Sequence, residues 1–209
     1  MGPKGLHDFE GMLTFYYSYH MDQLNQVIHM VFIPAILWTA LIWLCYTPPL
    51  LESPADLEIN GHPLVSLNGA FVVIVSYCMY YIYLDRPFGL AWTVIAAPTL
   101  YLFANAFFAA VGRELAWKYA VAIHISSWAA QGIGQGLFEK RAPELLQSIV
   151  QSFLVAPLFA FMEIAFAGGY RRSLQKRVHA RAMRERGILN GRLSPKSSPP
   201  ASPARTRRR

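Results

Sequence analysis

The chain has 209 residues, 54% of them hydrophobic and gathered in long runs, which makes one domain-sized unit too apolar for an ordinary soluble protein. Its formal charge of +7 is segregated: residues 171–209 carry thirteen Lys/Arg against one acid, Glu185, while the first 170 carry six bases and eleven acids. The positive charge therefore belongs to a tail, and a nucleic-acid-binding role for the folded part loses its support.

Residues 1–26 are polar, acidic and aromatic, without the early apolar run of a cleavable signal peptide. They hold the first of two histidines nine positions apart, His20 and His29. Five stretches then approach the length of about 20 mostly apolar residues that a span needs: 27–47, 64–84, 88–111, 117–138 and 149–168. Pro48-Pro49 stops the first, and an acidic loop with Glu52, Asp56 and Glu58 follows. The second ends in Tyr77, Tyr80, Tyr81 and Tyr83, residues suited to the headgroup level. Asp85-Arg86-Pro87 leaves room only for a tight hairpin into the third, which Pro98 is expected to kink. The fourth carries His124, Ser126, Ser127, Gln131 and Gln135, loosened by Gly132, Gly134 and Gly136. It reads equally as a full span, a broken helix or a re-entrant segment. The fifth contains Pro157 and one carboxylate, Glu163.

The pattern predicts an all-α, polytopic membrane bundle of four to five spans over residues 27–170. A basic juxtamembrane helix over 171–186 follows, then a Ser/Pro/Arg-rich tail, 187–209, with too little to bury to be ordered. Basic residues beside a span read as cytosolic and as partners for anionic lipid headgroups. Cys45 and Cys78 sit inside apolar runs, far from any metal or disulfide spacing.

Polar groups in such a chain are expensive and mark sites. On a helix, His124, Trp128, Gln131 and Gln135 share one face, which should look onto protein or a cavity. Eleven residues rise about 16 Å, so His124 and Gln135 cannot serve one ion on a regular helix. Either the glycines break the helix or only one end belongs to the site, and His124 suits a structural or cavity hydrogen-bonding role better than ligation. His20 and His29 would lie about 180° apart on a straight helix, so they can cooperate only if His20 precedes it or the backbone is irregular. Asn25 shares a face with His29 and is placed to orient it. Imidazoles with oxygen donors suit iron, zinc, copper or nickel; two histidines plus a carboxylate is an arrangement used for Fe(II) and O2. Glu139 and Glu163 are the carboxylates near these groups, and Glu163 needs a buried partner such as Arg141. His7, His62 and His179 receive no function.

The run Tyr19-His20, Asn25, Ile28-His29, Ile33-Pro34 resembles the fungal endoplasmic-reticulum 2-hydroxy fatty acid dioxygenases. So does Trp128-x2-Gln131-x-Ile133-Gly134-Gln135-Gly136-x-Phe138-Glu139-Lys140-Arg141-x-Pro143-x-Leu145. Gln147-Ser148-x-Val150-Gln151-Ser152-x-Leu154-x-Ala156-Pro157 and Glu163 continue the likeness, which covers about residues 8–170. The resemblance implies a multi-pass enzyme of that membrane, using Fe(II) with O2 as co-substrate. Its reaction would shorten a 2-hydroxy fatty acid by one carbon, as in phytosphingosine breakdown. It makes His20 and His29 metal ligands and puts Gln135 at the third position, with Glu139 or His124 to supply a missing donor; Asn25, His124, Gln131 and Glu163 are the supporting residues that the polar pattern itself offers. One departure stands out: the family reads Gly-His-Gly where this chain has Gly134-Gln135-Gly136. An amide oxygen is a poorer iron ligand than imidazole. An altered site, a paralogue with another substrate (as in secondary metabolism) and a non-catalytic lipid- or partner-binding protein are the three consequences.

Overall fold

A computed structural model describes residues 5, 7–51, 58–139 and 149–189. Seven α-helices dominate it: α1 Phe9–Tyr19, α2 Gln23–Leu44, α3 Gly69–Leu84, α4 Arg86–Val111, α5 Arg113–Gly134, α6 Ile149–Ala167 and α7 Arg172–Leu189. Two-residue strands, β1 Glu58–Ile59 and β2 His62–Pro63, pair antiparallel in the loop before α3. The all-α expectation holds, and each of the five apolar stretches contains a helix.

Start signals are local. Asp22 caps α2 by accepting from the Leu24 and Asn25 amides, and Asn68 caps α3 in the same way. Asp85 alone separates α3 from α4, accepting the Phe88 amide, with Pro87 in the first turn where its missing N–H costs nothing. Gly89 lets this hairpin close, since a Cβ there would overlap the Tyr81 carbonyl. Between them Tyr81 and Trp92 pack edge to face, both buried.

Helix α2 is the central element, packed on α3, α4, α5 and α6. Its core residues, Ile33, Leu37, Leu41 and Ile42, interleave with those of its neighbours. Apolar side chains also point outward, including Val31 on α2, Val94 and Phe103 on α4 and Ile125 on α5. A protein surrounded by water would bury such residues; a helix in lipid exposes them. By length and composition α2 and α4 can cross a membrane singly, and α6 with α7 form a third candidate bent by 118°. Helix α3, at 16 residues, is apolar but shorter. Two or three candidate spans among the described residues are thus fewer than the four to five expected, because α5 carries too many polar groups and α3 too few residues.

Pro157 sits inside α6 and deprives the Phe153 carbonyl of its helical donor. The Tyr77 hydroxyl supplies one at 2.9 Å, and Tyr81 donates to the Leu154 carbonyl at 3.0 Å. The tyrosine cluster expected at a membrane edge therefore also repairs a proline-interrupted helix.

The basic helix differs from the expected 171–186 segment in extent and in partner. Helix α7 reaches Leu189 and folds back on α1, burying Leu174, Val178 and Ala182. Arg177 and Arg181 pair with Glu10, and Arg171 grips both oxygens of Asp85 at 2.8 Å. The tail from 190 onward, Arg141 and the Pro143–Gln147 part of the second signature lie outside the described residues.

Candidate functional site

Helix α1 ends at Tyr19 and α2 begins at Gln23, so the helix is broken over His20–Asp22. This break removes the half-turn mismatch of a continuous helix. His20 terminates α1 and faces His29 in the second turn of α2, with ring centroids 4.3 Å apart. Both rings are buried, at 2% and 5% exposure.

Each imidazole is held by the main chain four residues earlier. His20 Nδ1 lies 2.8 Å from the Tyr16 carbonyl, and His29 Nδ1 lies 2.9 Å from that of Asn25. A carbonyl only accepts, so both Nδ1 atoms carry the proton and both Nε2 atoms present a lone pair. Anchoring one ring nitrogen on an oxygen is how proteins orient metal-binding histidines. Tyr16 further clamps His20 by stacking at 4.1 Å. Burial, and then the neighbouring His29, push the pKa of His20 well below its ordinary value, more than the Tyr16 hydrogen bond raises it. The ring is neutral at physiological pH, as ligation requires.

Helix α5 runs regularly to Gly134 and then widens into a π-helical turn, Gln135–Glu139. Gly134 permits the approach of α5 to α2, since a Cβ there would stand 2.9 Å from Asn25 Oδ1 and 3.0 Å from Ile28 Cδ1. The turn places Gln135 Nε2 2.8 Å from His20 Nε2, while Gln135 Oε1 is buried without a hydrogen-bond partner. It also aims Glu139 at the break between α1 and α2. Glu139 Oε1 accepts from the Met21 and Asp22 amides, each at 2.7 Å, and from Asn25 Nδ2 at 3.4 Å. Its Oε2 pairs with Arg186 of α7. Glu139 thus fixes the segment that carries His20, and both its oxygens are already engaged.

The structure sorts the remaining expected residues. Asn25 does orient His29, but through its main-chain carbonyl and not its side chain. His124 belongs to a separate network: Trp128 Nε1 donates to its Nε2 at 3.0 Å, and its Nδ1 meets Thr39 Oγ1 at 2.7 Å. Gln131 is buried at 8% exposure, and its Nε2 has no hydrogen-bond partner. Glu163 is buried near Tyr16, with neither oxygen in hydrogen-bonding geometry. Leaving a polar group buried and unpaired costs about 1–3 kcal/mol, so these groups sit where something other than packing retains them.

His20, His29, Gln131 and Gln135 form the polar end of a cavity of about 360 Å³. Its wall continues along α2 through Ile33, Ile36, Leu37 and Ala40 and is completed by Val73, Phe153, Val155 and Pro157. Eleven residues from His29 to Ala40 span about 16 Å, a slot for a chain with one polar head. Among the described residues no three His, Cys, Asp or Glu side chains come together as a metal-ligand set. The donors present are two imidazole nitrogens and the unpartnered Gln135 amide oxygen, which fit a divalent ion with a weak third position.

Tyr16, Tyr77 and Arg186 are parts of this region that motif reading passes over. Tyr16 lies in a helix capped by Asp8 that is buried nearly all round, from Met12 through Tyr19, which its polar and aromatic composition does not announce.

The class of protein is set by a buried histidine pair at the head of an apolar slot in a membrane-type helical bundle. Comparison with known proteins gives the particular family. Residues 6–167 match the model described as 2-hydroxy-palmitic acid dioxygenase Mpo1-like, and the chain belongs to that family. It is 30% identical over 169 residues to the 2-hydroxy-palmitic acid dioxygenase MPO1 of Saccharomyces cerevisiae, covering 80% of this chain and 85% of the relative. No solved structure matches it.

Proposed function

We propose that this chain is an Fe(II)-dependent dioxygenase of the endoplasmic-reticulum membrane that shortens 2-hydroxy fatty acids by one carbon, the acid arising from sphingolipid breakdown. The carrying observation is the His20–His29 pair, each Nδ1 locked on a carbonyl, at the polar end of an apolar slot. His20 Nε2, His29 Nε2 and Gln135 Oε1 would hold the metal, which when bound supplies the centre for using dioxygen to cleave C1–C2. Tyr16 and the Asn25 carbonyl orient the rings, and the slot along α2 takes the acyl chain and excludes water. We assign Glu139 a positioning role in place of ligation, because its oxygens brace the Met21 and Asp22 amides and Arg186.

A second reading has its own support. Gln135 Nε2 occupies the lone pair of His20, and a protein that keeps that contact would bind the lipid without turning it over. Metal analysis of the purified chain, with oxygen-dependent conversion of 2-hydroxypalmitate, separates the two. We expect bound iron and product only in air; neither iron nor product would overturn the first reading. Gln135→His is then expected to raise iron content if the amide is merely a weakened ligand. If it abolishes an existing turnover, Gln135 is adapted to a different substrate.

A further inference from the structure

A fatty-acid head group carries a negative charge, yet among the described residues no Lys or Arg lines the cavity. The nearby Arg186 is engaged with Glu139. Recognition of a carboxylate must then come from neutral donors, and most polar groups of the wall are already committed. Trp128 donates to His124, and Tyr77 donates to the Phe153 carbonyl. Gln135 directs its amide N–H to His20. Gln131 is the exception. It is more than nine-tenths buried, lines the cavity, and its Nε2 has no hydrogen-bond partner. It lies one helical turn before Gln135 on the face of α5 that meets α2.

From this inventory we propose that Gln131 is the carboxylate-recognising residue of the site, donating from its carboxamide to the head of the acyl substrate. The proposal rests on reading the cavity as the 2-hydroxy acid site. A 2-hydroxy acid complements this free donor: its carboxylate accepts from Gln131, while the Gln135 oxygen keeps the metal-holding role proposed above. The acyl chain then runs down α2 toward Ala40. Gln131 thereby sets the preference for an acid over a lipid with the same chain and hydroxyl but no carboxylate.

The test is equilibrium binding to the purified full chain in detergent, read by tryptophan fluorescence, since Trp128 lines the cavity. The probes are 2-hydroxypalmitate and hexadecan-2-ol, which keeps chain and hydroxyl and lacks the carboxylate. Gln131→Leu should weaken binding of the acid by roughly tenfold or more, the loss of one hydrogen bond to a charged group. Binding of the alcohol should stay within about twofold, because it makes no such bond. Gln131→Met replaces the Leu variant if that chain does not fold. Equal loss for both probes would mean a merely structural residue and would overturn the proposal, as would no change for either. If the native chain binds neither probe, the acyl-site reading fails first and takes this assignment with it.

Discussion

At the scale of single residues, the site is governed by who holds each polar atom. His20 and His29 are oriented by carbonyls four residues behind them, and the Tyr16 ring adds a stacking contact to His20 alone. Glu139 is the opposite case, because its side chain is the connection. Fully buried and charged, it joins α5 to the His20 turn and to α7. Glu139→Gln should lower stability by about 3 kcal/mol, the cost of leaving a buried pair half made. Thermal unfolding in detergent measures this directly, and a change under about 0.5 kcal/mol, as at ordinary surface sites, would contradict the assignment. The spacing of Asn25 and His29 marked them as neighbours, but only the geometry revealed that the backbone makes the contact. The same limit applies to Glu139, whose sequence position suggests a ligand as readily as a brace.

At the scale of elements, proline placement explains the tyrosines. Pro157 frees the Phe153 carbonyl, and Tyr77 and Tyr81 reach across from α3 to the main chain of α6. Removing one hydroxyl leaves a carbonyl without its partner. Tyr77→Phe should cost about 1 kcal/mol, and Tyr81→Phe more, because Tyr81 is fully buried and water cannot replace the bond. Comparing the two unfolding temperatures checks the order; a larger loss from Tyr77→Phe would reverse it. Helix α1 is the element least visible beforehand. Its polar and aromatic composition hid a buried face of Met12, Leu13, Tyr16 and Tyr17, which only packing on α6 and α7 makes apolar in effect.

For the whole molecule, α7 decides whether the site is assembled. The 118° bend after α6 sends this basic helix back across α1, and its Arg186 reaches the carboxylate that braces His20. Leu174 and Val178 alone contribute roughly 3–6 kcal/mol through burial. A chain ending at Tyr170 should therefore lose the ordered α1–α2 turn and bind 2-hydroxypalmitate poorly, although its apolar helices remain. Circular dichroism melting beside a binding titration would show this; unchanged melting and binding would make α7 an appendage. The positive charge read as a tail is thus partly spent inside the fold, on Glu10, Asp85 and Glu139.

The amino-acid sequence by itself determined the helices of residues 27–170, the hairpin at Asp85, the polar stripe of the fourth stretch and the basic character of the end. These depend on hydrophobic runs, caps and periodicity, which are local. It also set the condition for the histidine pair: His20 had to precede the helix, or the backbone between the two had to be irregular. Only the tertiary structure decided that the helix breaks there. It also decided that Gln135 and not His124 joins the pair, and that Glu139 braces the turn. Those outcomes rest on contacts more than a hundred residues apart, between His20 and Gln135 and between Met21 and Glu139. Local spacing cannot specify them, because they depend on how closely α5 approaches α2 at Gly134 and on where the π-helical turn rotates the side chains that follow.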